Sequence, residues 1–210
     1  MGTLGDELAI AMAELEEEKV LGLVQEGIAA GEDPLELVRS LQDGMTEVGA
    51  RFESGDYFLN ELVMSGEIMK EAMVEIEPLL HGAEQEYHGL VVIGTVKGDI
   101  HDLGKNIVVM LLKGAGYEVV DLGVDVPAER FVEAVKEHNA RLVGMCALLT
   151  ASQGSMKETI ERVRSTGLDT KIVIGGSYMN ETIRENVGAD YFGTTANDAV
   201  KLAEEVFASA

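Results

Sequence analysis

The segment GTVKGDIHDLGKNIVVML, residues 94–111, sets Asp99, His101 and Asp102 between two apolar runs. A histidine two residues after an aspartate carries chemistry of its own. The carboxylate can accept a hydrogen bond from one imidazole nitrogen, which fixes the tautomer and makes the other nitrogen a better base or metal ligand. One protein nitrogen does not hold a free metal ion firmly. It can supply an axial ligand to a metal already seated in a macrocycle, provided the rest of the protein grips the organic part. A lone loop histidine is more often an idle, solvated group, and only its strand-end position and the following glycine bring the two readings level here.

The second half of the chain supplies the position. From residue 89 onward, short β-rich runs alternate with helical stretches: strands at 90–96, 117–123, 141–149, 171–176 and 190–194, helices near 104–114, 128–138, 154–166, 180–187 and 196–208. Strands this apolar are buried on both faces, as in a parallel sheet with helices on each side. The pattern predicts a doubly wound α/β domain with a five-stranded parallel sheet. Ligands of such sheets bind beyond the carboxyl ends of the strands, where the winding reverses, and VKGDIHDLG lies at such an end.

Residues 1–88 read as helices throughout, with apolar residues three and four apart. DELAIAMAELEEEKVLGLVQEGIAAG gives one long or two shorter helices. The next opens with Asp33 as N-cap and Pro34 at the first helical position, ending near Gly55; the last stops around Pro78. Short connections make this an antiparallel helical bundle. The expected organisation is a bundle domain, 1–88, joined by the polar link HGAEQEYHG to a sheet domain, 89–210.

Composition narrows the partners. With 16 basic and 38 acidic residues the net charge is −22, which repels nucleic acid. The excess is concentrated in residues 1–88, which hold 4 basic and 21 acidic residues, and that face is either plain solubility or a docking surface for proteins. No apolar run approaches the length of a membrane span, and the acidic start is unlike a targeting signal, so a cytoplasmic protein without membrane contact is expected. The single cysteine, Cys146, excludes an intrachain disulfide and any multi-cysteine metal site. KGAGYE closes a helix and is no dinucleotide fingerprint. A phospho-acceptor receiver is excluded because the third strand ends in Leu149 and Thr150 where an aspartate is required.

DIHDLG, residues 99–104, resembles the D-x-H-x-x-G signature of cobalamin-binding domains. CALLTAS after the third strand resembles that family's S-x-L segment, and Gly175–Gly176 its glycine pair after the fourth. The acidic bundle resembles the cap that precedes this flavodoxin-like domain in methionine synthase and in corrinoid proteins of methyltransferase systems. The similarity runs from about residue 5 to 208, essentially the whole chain.

The resemblance implies cobalamin as cofactor, with His101 as the lower ligand of the corrin's cobalt in place of the cofactor's own benzimidazole. Asp99 would hydrogen-bond the imidazole and Ser152 would extend that relay. Asp102 and Gly104 would flank the site, and Leu148, Thr150, Gly175 and Gly176 would line a slot for the nucleotide tail. Cys146 departs from the family, which usually has serine there, and a thiol is the poorer donor. Phe58, Leu59, Leu62 and Val63 of the last cap helix would shield the upper face; the blander reading of each is bundle core.

The implied activity is methyl carriage: Co(I) cobalamin takes a methyl from a substrate-specific methyltransferase, and the methylcobalamin so formed gives it to an acceptor methyltransferase. The ligand would leave and take up a proton as the cobalt changes state. A reductive activase would be a third partner. The chain would be no enzyme alone, serving methanol or methylamine utilisation or O-demethylation in anaerobic one-carbon metabolism, with the cap swinging about a hinge near 81–89. A radical-mutase subunit shares the binding domain but not the cap. A cobalamin-dependent regulator would need a basic DNA-reading helix, which four basic residues in 1–88 do not provide.

Overall fold

The computed structural model describes residues 3–80 and 87–208. The chain divides into two compact units, one running to Tyr87 and including Gly114–Gly116, the other made of His88–Lys113 and Tyr117–Ala210. The expected hinge at 81–89 falls largely on residues 81–86, outside the described residues.

The first unit holds α1 (Leu4–Ala13), α2 (Glu17–Ala30), α3 (Pro34–Ser54) and α4 (Leu59–Ile76). The stretch that read as one or two helices is two, because Leu15 takes φ 59° and breaks the helical path. Arg51 and the Tyr57 hydroxyl both donate to the Ala13 carbonyl, at 3.3 and 2.8 Å, satisfying an acceptor that the end of α1 leaves open. Asp33 caps α3 by accepting from the Leu35 amide at 3.0 Å, with Pro34 at the first helical position, and Gly55 closes it at φ 85°. Leu8, Met12, Leu41, Ile68 and Ile76 form the centre of the bundle core.

The second unit is built from β1 (Leu90–Thr95), α5 (Leu103–Gly114), β2 (Glu118–Asp121), α6 (Ala128–His138), β3 (Leu142–Cys146), α7 (Gln153–Arg164), β4 (Lys171–Gly175), α8 (Glu181–Val187), β5 (Tyr191–Gly193) and α9 (Ala196–Ala208). Its strands are all parallel, in the order β2-β1-β3-β4-β5. The chain therefore winds outward from β1 in one direction and from β3 in the other, opening a crevice beyond the ends of those two strands. Between sheet and helices, Val92, Phe131, Met145, Met156 and Ile174 form the core.

All five strands are shorter than their apolar runs predict, the second and third most of all. The second stops at Asp121 rather than residue 123, and the third at Cys146 rather than residue 149. The third has a clear cause: the amides of Leu148 and Leu149 leave the ladder and bond a side chain in the β1–α5 loop. No described helix is long and apolar enough to cross a membrane.

Phe131 of α6 is fully buried and seats its ring over Gly94 of β1, where a side chain would leave only 3.0 Å. This contact holds α6 down on the strand that carries the candidate site. Phe131→Ala is expected to cost about 3–5 kcal/mol, read as a lowered urea midpoint followed by circular dichroism.

Candidate functional site

The site gathers where β1 and β3 end. Asp99 lies in the loop after β1, its side chain with no exposed surface. A buried carboxylate must be paid for with donors, and four are present. Oδ2 accepts the amides of Leu148 at 2.6 Å and Leu149 at 2.9 Å; Oδ1 accepts the His101 amide at 3.0 Å and lies 2.7 Å from His101 Nδ1. Burial by itself would raise the Asp99 carboxyl, but the His101, Leu149 and Leu148 bonds outweigh it and hold the group at about 2. The carboxylate is thus ionised throughout the physiological range.

His101 is the complementary half. Its ring is 48% exposed, with Nδ1 committed to Asp99 and Nε2 left without a partner among the described residues. Its backbone is fixed too, since buried Thr95 at the end of β1 donates its hydroxyl to the His101 carbonyl at 2.9 Å. Around it stand exposed apolar side chains, among them Ile100 at 74%, Leu103, Leu148 and Leu149. A half-exposed imidazole in an apolar surround suits a large, flat, mainly apolar ligand better than a solvated ion.

Other sequence candidates take distinct places. Asp102 accepts the Asn106 amide through its carbonyl at 2.7 Å and the Asn106 side chain at 3.3 Å, steadying the first turn of α5. Gly104 and Gly175 border open space: a Cβ on either would meet nothing within 4 Å. Gly176 is required for another reason, because it adopts φ 146° and a Cβ there would sit 2.0 Å from the Ala147 carbonyl oxygen. Thr150 is exposed at the start of a short 3-10 turn that ends in Ser152. Ser152 is buried, and its side chain makes no hydrogen bond to Asp99 or His101; backbone amides fill the carboxylate instead. Cys146, last in β3, is partly buried, and burial pushes its thiol up to about 12, so it stays a neutral thiol.

In the first unit, Phe58 is 66% exposed and Leu59 and Val63 are exposed beside it in sequence, whereas Leu62 is buried. The exposed residues are those with surface to offer.

Sequence reasoning missed three participants. Thr95 is legible only as a hydroxyl residue at a strand end, and the Leu149 amide has no sequence signal at all. The third is Lys105, buried beside the site with Nζ bonded to Asp121 at 2.6 Å and Asn106 at 2.8 Å. Its signal was a lysine set in the apolar run of α5.

Among the described residues no three His, Cys, Asp or Glu side chains cluster as a metal site. A metal reaching His101 would have to bring its other ligands with it, as a corrin does. The comparisons agree with that requirement. Residues 89–202 match the B12 binding domain, and residues 4–77 match a second, N-terminal B12 binding domain model. The chain belongs to the B12-binding family of corrinoid proteins. Its cofactor is cobalamin. The dimethylamine corrinoid protein of Methanosarcina barkeri is 38% identical over 207 residues, 96% of each chain. A cobalamin-binding protein from Desulfitobacterium hafniense DCB-2 superposes with TM-score 0.81 at 39% identity, covering 98% of both chains. A chain of the methanol:cobalamin methyltransferase complex from Methanosarcina barkeri gives TM-score 0.87 at 35% identity, covering 99% of this chain and 80% of that one.

The depressed Asp99 carboxyl has a consequence for stability. Its bonds contribute fully above the unfolded value near 3.8 and are lost as pH falls toward about 2. Asp99→Asn is therefore expected to lose roughly 2 kcal/mol at neutral pH. It should also flatten the decline in stability between about pH 4 and 2, measured by urea unfolding at stepped pH.

Proposed function

We propose that this protein is a methyl carrier: it receives a methyl group from a substrate-specific methyltransferase and delivers it to a second one, whose acceptor is tetrahydrofolate or a thiol coenzyme. The observation that carries the reading is a single half-exposed histidine, oriented by a buried carboxylate at the mouth of a B12-binding sheet. Further support comes from relatives that match nearly all of this chain, one named for dimethylamine and one a chain of a methanol:cobalamin methyltransferase complex.

Cobalamin would supply a cobalt centre able to take up and give back a methyl group. The chain's own residues would hold and tune it. His101 would hold the cobalt through Nε2, because Asp99 occupies Nδ1 and keeps the ring in the tautomer with a free Nε2 lone pair. Asp99 would stabilise the proton at Nδ1 whenever the ring is released, while the Leu148 and Leu149 amides keep its charge in place. Ser152, in the turn between β3 and α7, would extend the relay from Asp99. Gly104, Cys146, Leu148, Thr150, Gly175 and Gly176 would border the organic part of the cofactor, with Asp102 steadying the turn that carries Gly104. Of the cap residues, the exposed Phe58, Leu59 and Val63 would shield the cofactor from water and oxidants, whereas Leu62 is buried. A reductive activase would return cofactor lost to oxidation.

The test mixes the cobalamin-loaded, reduced protein with methyl donors of the methanol, methylamine and aryl methyl ether classes, with and without a donor-specific and an acceptor methyltransferase. Methylated acceptor is expected only when both enzymes are present. Saturable, repeated transfer from donor to acceptor by this chain alone would overturn the carrier reading.

A further inference from the structure

The loop that carries Asp99 and His101 is held from a second side, by the β2–α6 connection. Beyond the end of β2 the chain stays zipped to the last residues of β1. Leu122 donates to the Ile93 carbonyl at 2.8 Å, Thr95 to the Gly123 carbonyl at 2.9 Å, and Val126 to the Thr95 carbonyl at 3.0 Å. The zip ends in a two-point clasp made by one residue. The Asp125 amide donates to the Asp99 carbonyl at 2.9 Å, and Asp125 Oδ1 accepts the Gly98 amide at 2.8 Å.

The backbone at the clasp is unusual on both sides. Gly98 has φ 86°, which closes the turn in which the Asp99 amide reaches back to the Val96 carbonyl at 3.2 Å. Facing it, Asp125 has φ 52°, one of only three non-glycine residues with positive φ among those described. Glycine would adopt that conformation without strain, and aspartate is one of the few side chains that tolerate it. What glycine would lack is the carboxylate that holds the Gly98 amide. A strained position that spends its side chain on one neighbouring backbone group points to that group's placement as its purpose.

We infer that Asp125 is the positioning residue of the ligand loop, its carboxylate and amide clamping Gly98 and Asp99 so that the Asp99–His101 pair is presented in one orientation. The Leu148 and Leu149 amides fix where the Asp99 carboxylate points, while Asp125 fixes the peptide on which Asp99 is mounted. This inference rests on the reading of His101 as the cobalt ligand.

The test uses the full chain loaded with cobalamin and reduced to Co(II), where a coordinated nitrogen splits the electron paramagnetic resonance lines and the ratio of His-on to His-off cofactor is measured. Three variants are compared with wild type: Asp125→Gly, which keeps the φ and removes the acceptor; Asp125→Asn, which keeps both; and His101→Ala, which removes the ligand. Asp125→Gly is expected to lower the His-on to His-off ratio about tenfold, the scale of one hydrogen bond to a charged acceptor. Asp125→Asn is expected to stay within about twofold of wild type, because its Oδ1 accepts the same amide. The same order should appear in the cofactor-free protein as a changed ring-nitrogen shift of His101 in Asp125→Gly alone. A wild-type ratio in Asp125→Gly, with the splitting lost in His101→Ala, overturns the inference and leaves the ligand reading standing. Splitting that survives in His101→Ala overturns the ligand reading and the inference with it. Should Asp125→Gly fail to fold, Asp125→Glu, whose oxygen is displaced by one methylene, carries the same expectation, and a wild-type ratio there likewise counts against the clamp.

Discussion

The candidate site depends on keeping one carboxylate charged where water does not reach it. Asp99 has no exposed side-chain surface, yet its carboxyl is held at about 2. That requires donors in fixed positions, and three of the four are backbone amides, which cannot rotate away. Two come from the segment after β3, so the loop after β1 and the loop after β3 are tied together at the point where the sheet reverses its winding. A parallel order of β2-β1-β3 is what leaves a gap there, and the carboxylate occupies its floor. The imidazole then inherits a rigid partner, and its second nitrogen becomes the outward-facing group.

Much of this was legible in the residues. Apolar runs without alternation announced buried parallel strands, and the change from helical to strand period near residue 89 separated bundle from sheet. Asp33, Pro34 and Gly55 marked the ends of α3 by their backbone chemistry alone. The Asp-x-His spacing predicted a carboxylate-to-imidazole bond, and 2.7 Å separates the two groups. What escaped was backbone. The apolar run through Leu149 reads as strand because side-chain pattern does not reveal that two amides have another acceptor, and the strand stops at Cys146 for that reason. The relay assigned to Ser152 fails to form a bond in this structure for the same cause: amides had already filled the carboxylate. Gly176, read as making room for a ligand, is also a backbone necessity through its φ of 146° and the Ala147 carbonyl, while Gly104 and Gly175 border open space.

The site pairs one histidine, oriented by a buried carboxylate, with a Cys146 that burial keeps as a neutral thiol. It has what a holder needs: an orientable ligand, an apolar surround and glycine-bordered space. The acidic balance of the chain, −22 overall, disfavours nucleic acid as a partner.

The most direct measurement of the central claim, that a protein histidine replaces the cofactor's own base on cobalt, is isotopic. The chain is produced with ¹⁵N-labelled histidine, loaded with unlabelled cobalamin and reduced to Co(II), and its nitrogen splitting is compared with that of unlabelled protein. Coordination by His101 requires the three-line pattern of ¹⁴N to become the two-line pattern of ¹⁵N on labelling. A three-line pattern that persists in the labelled protein would mean that the ligand nitrogen belongs to the cofactor, and the account given for Asp99 and His101 would be wrong.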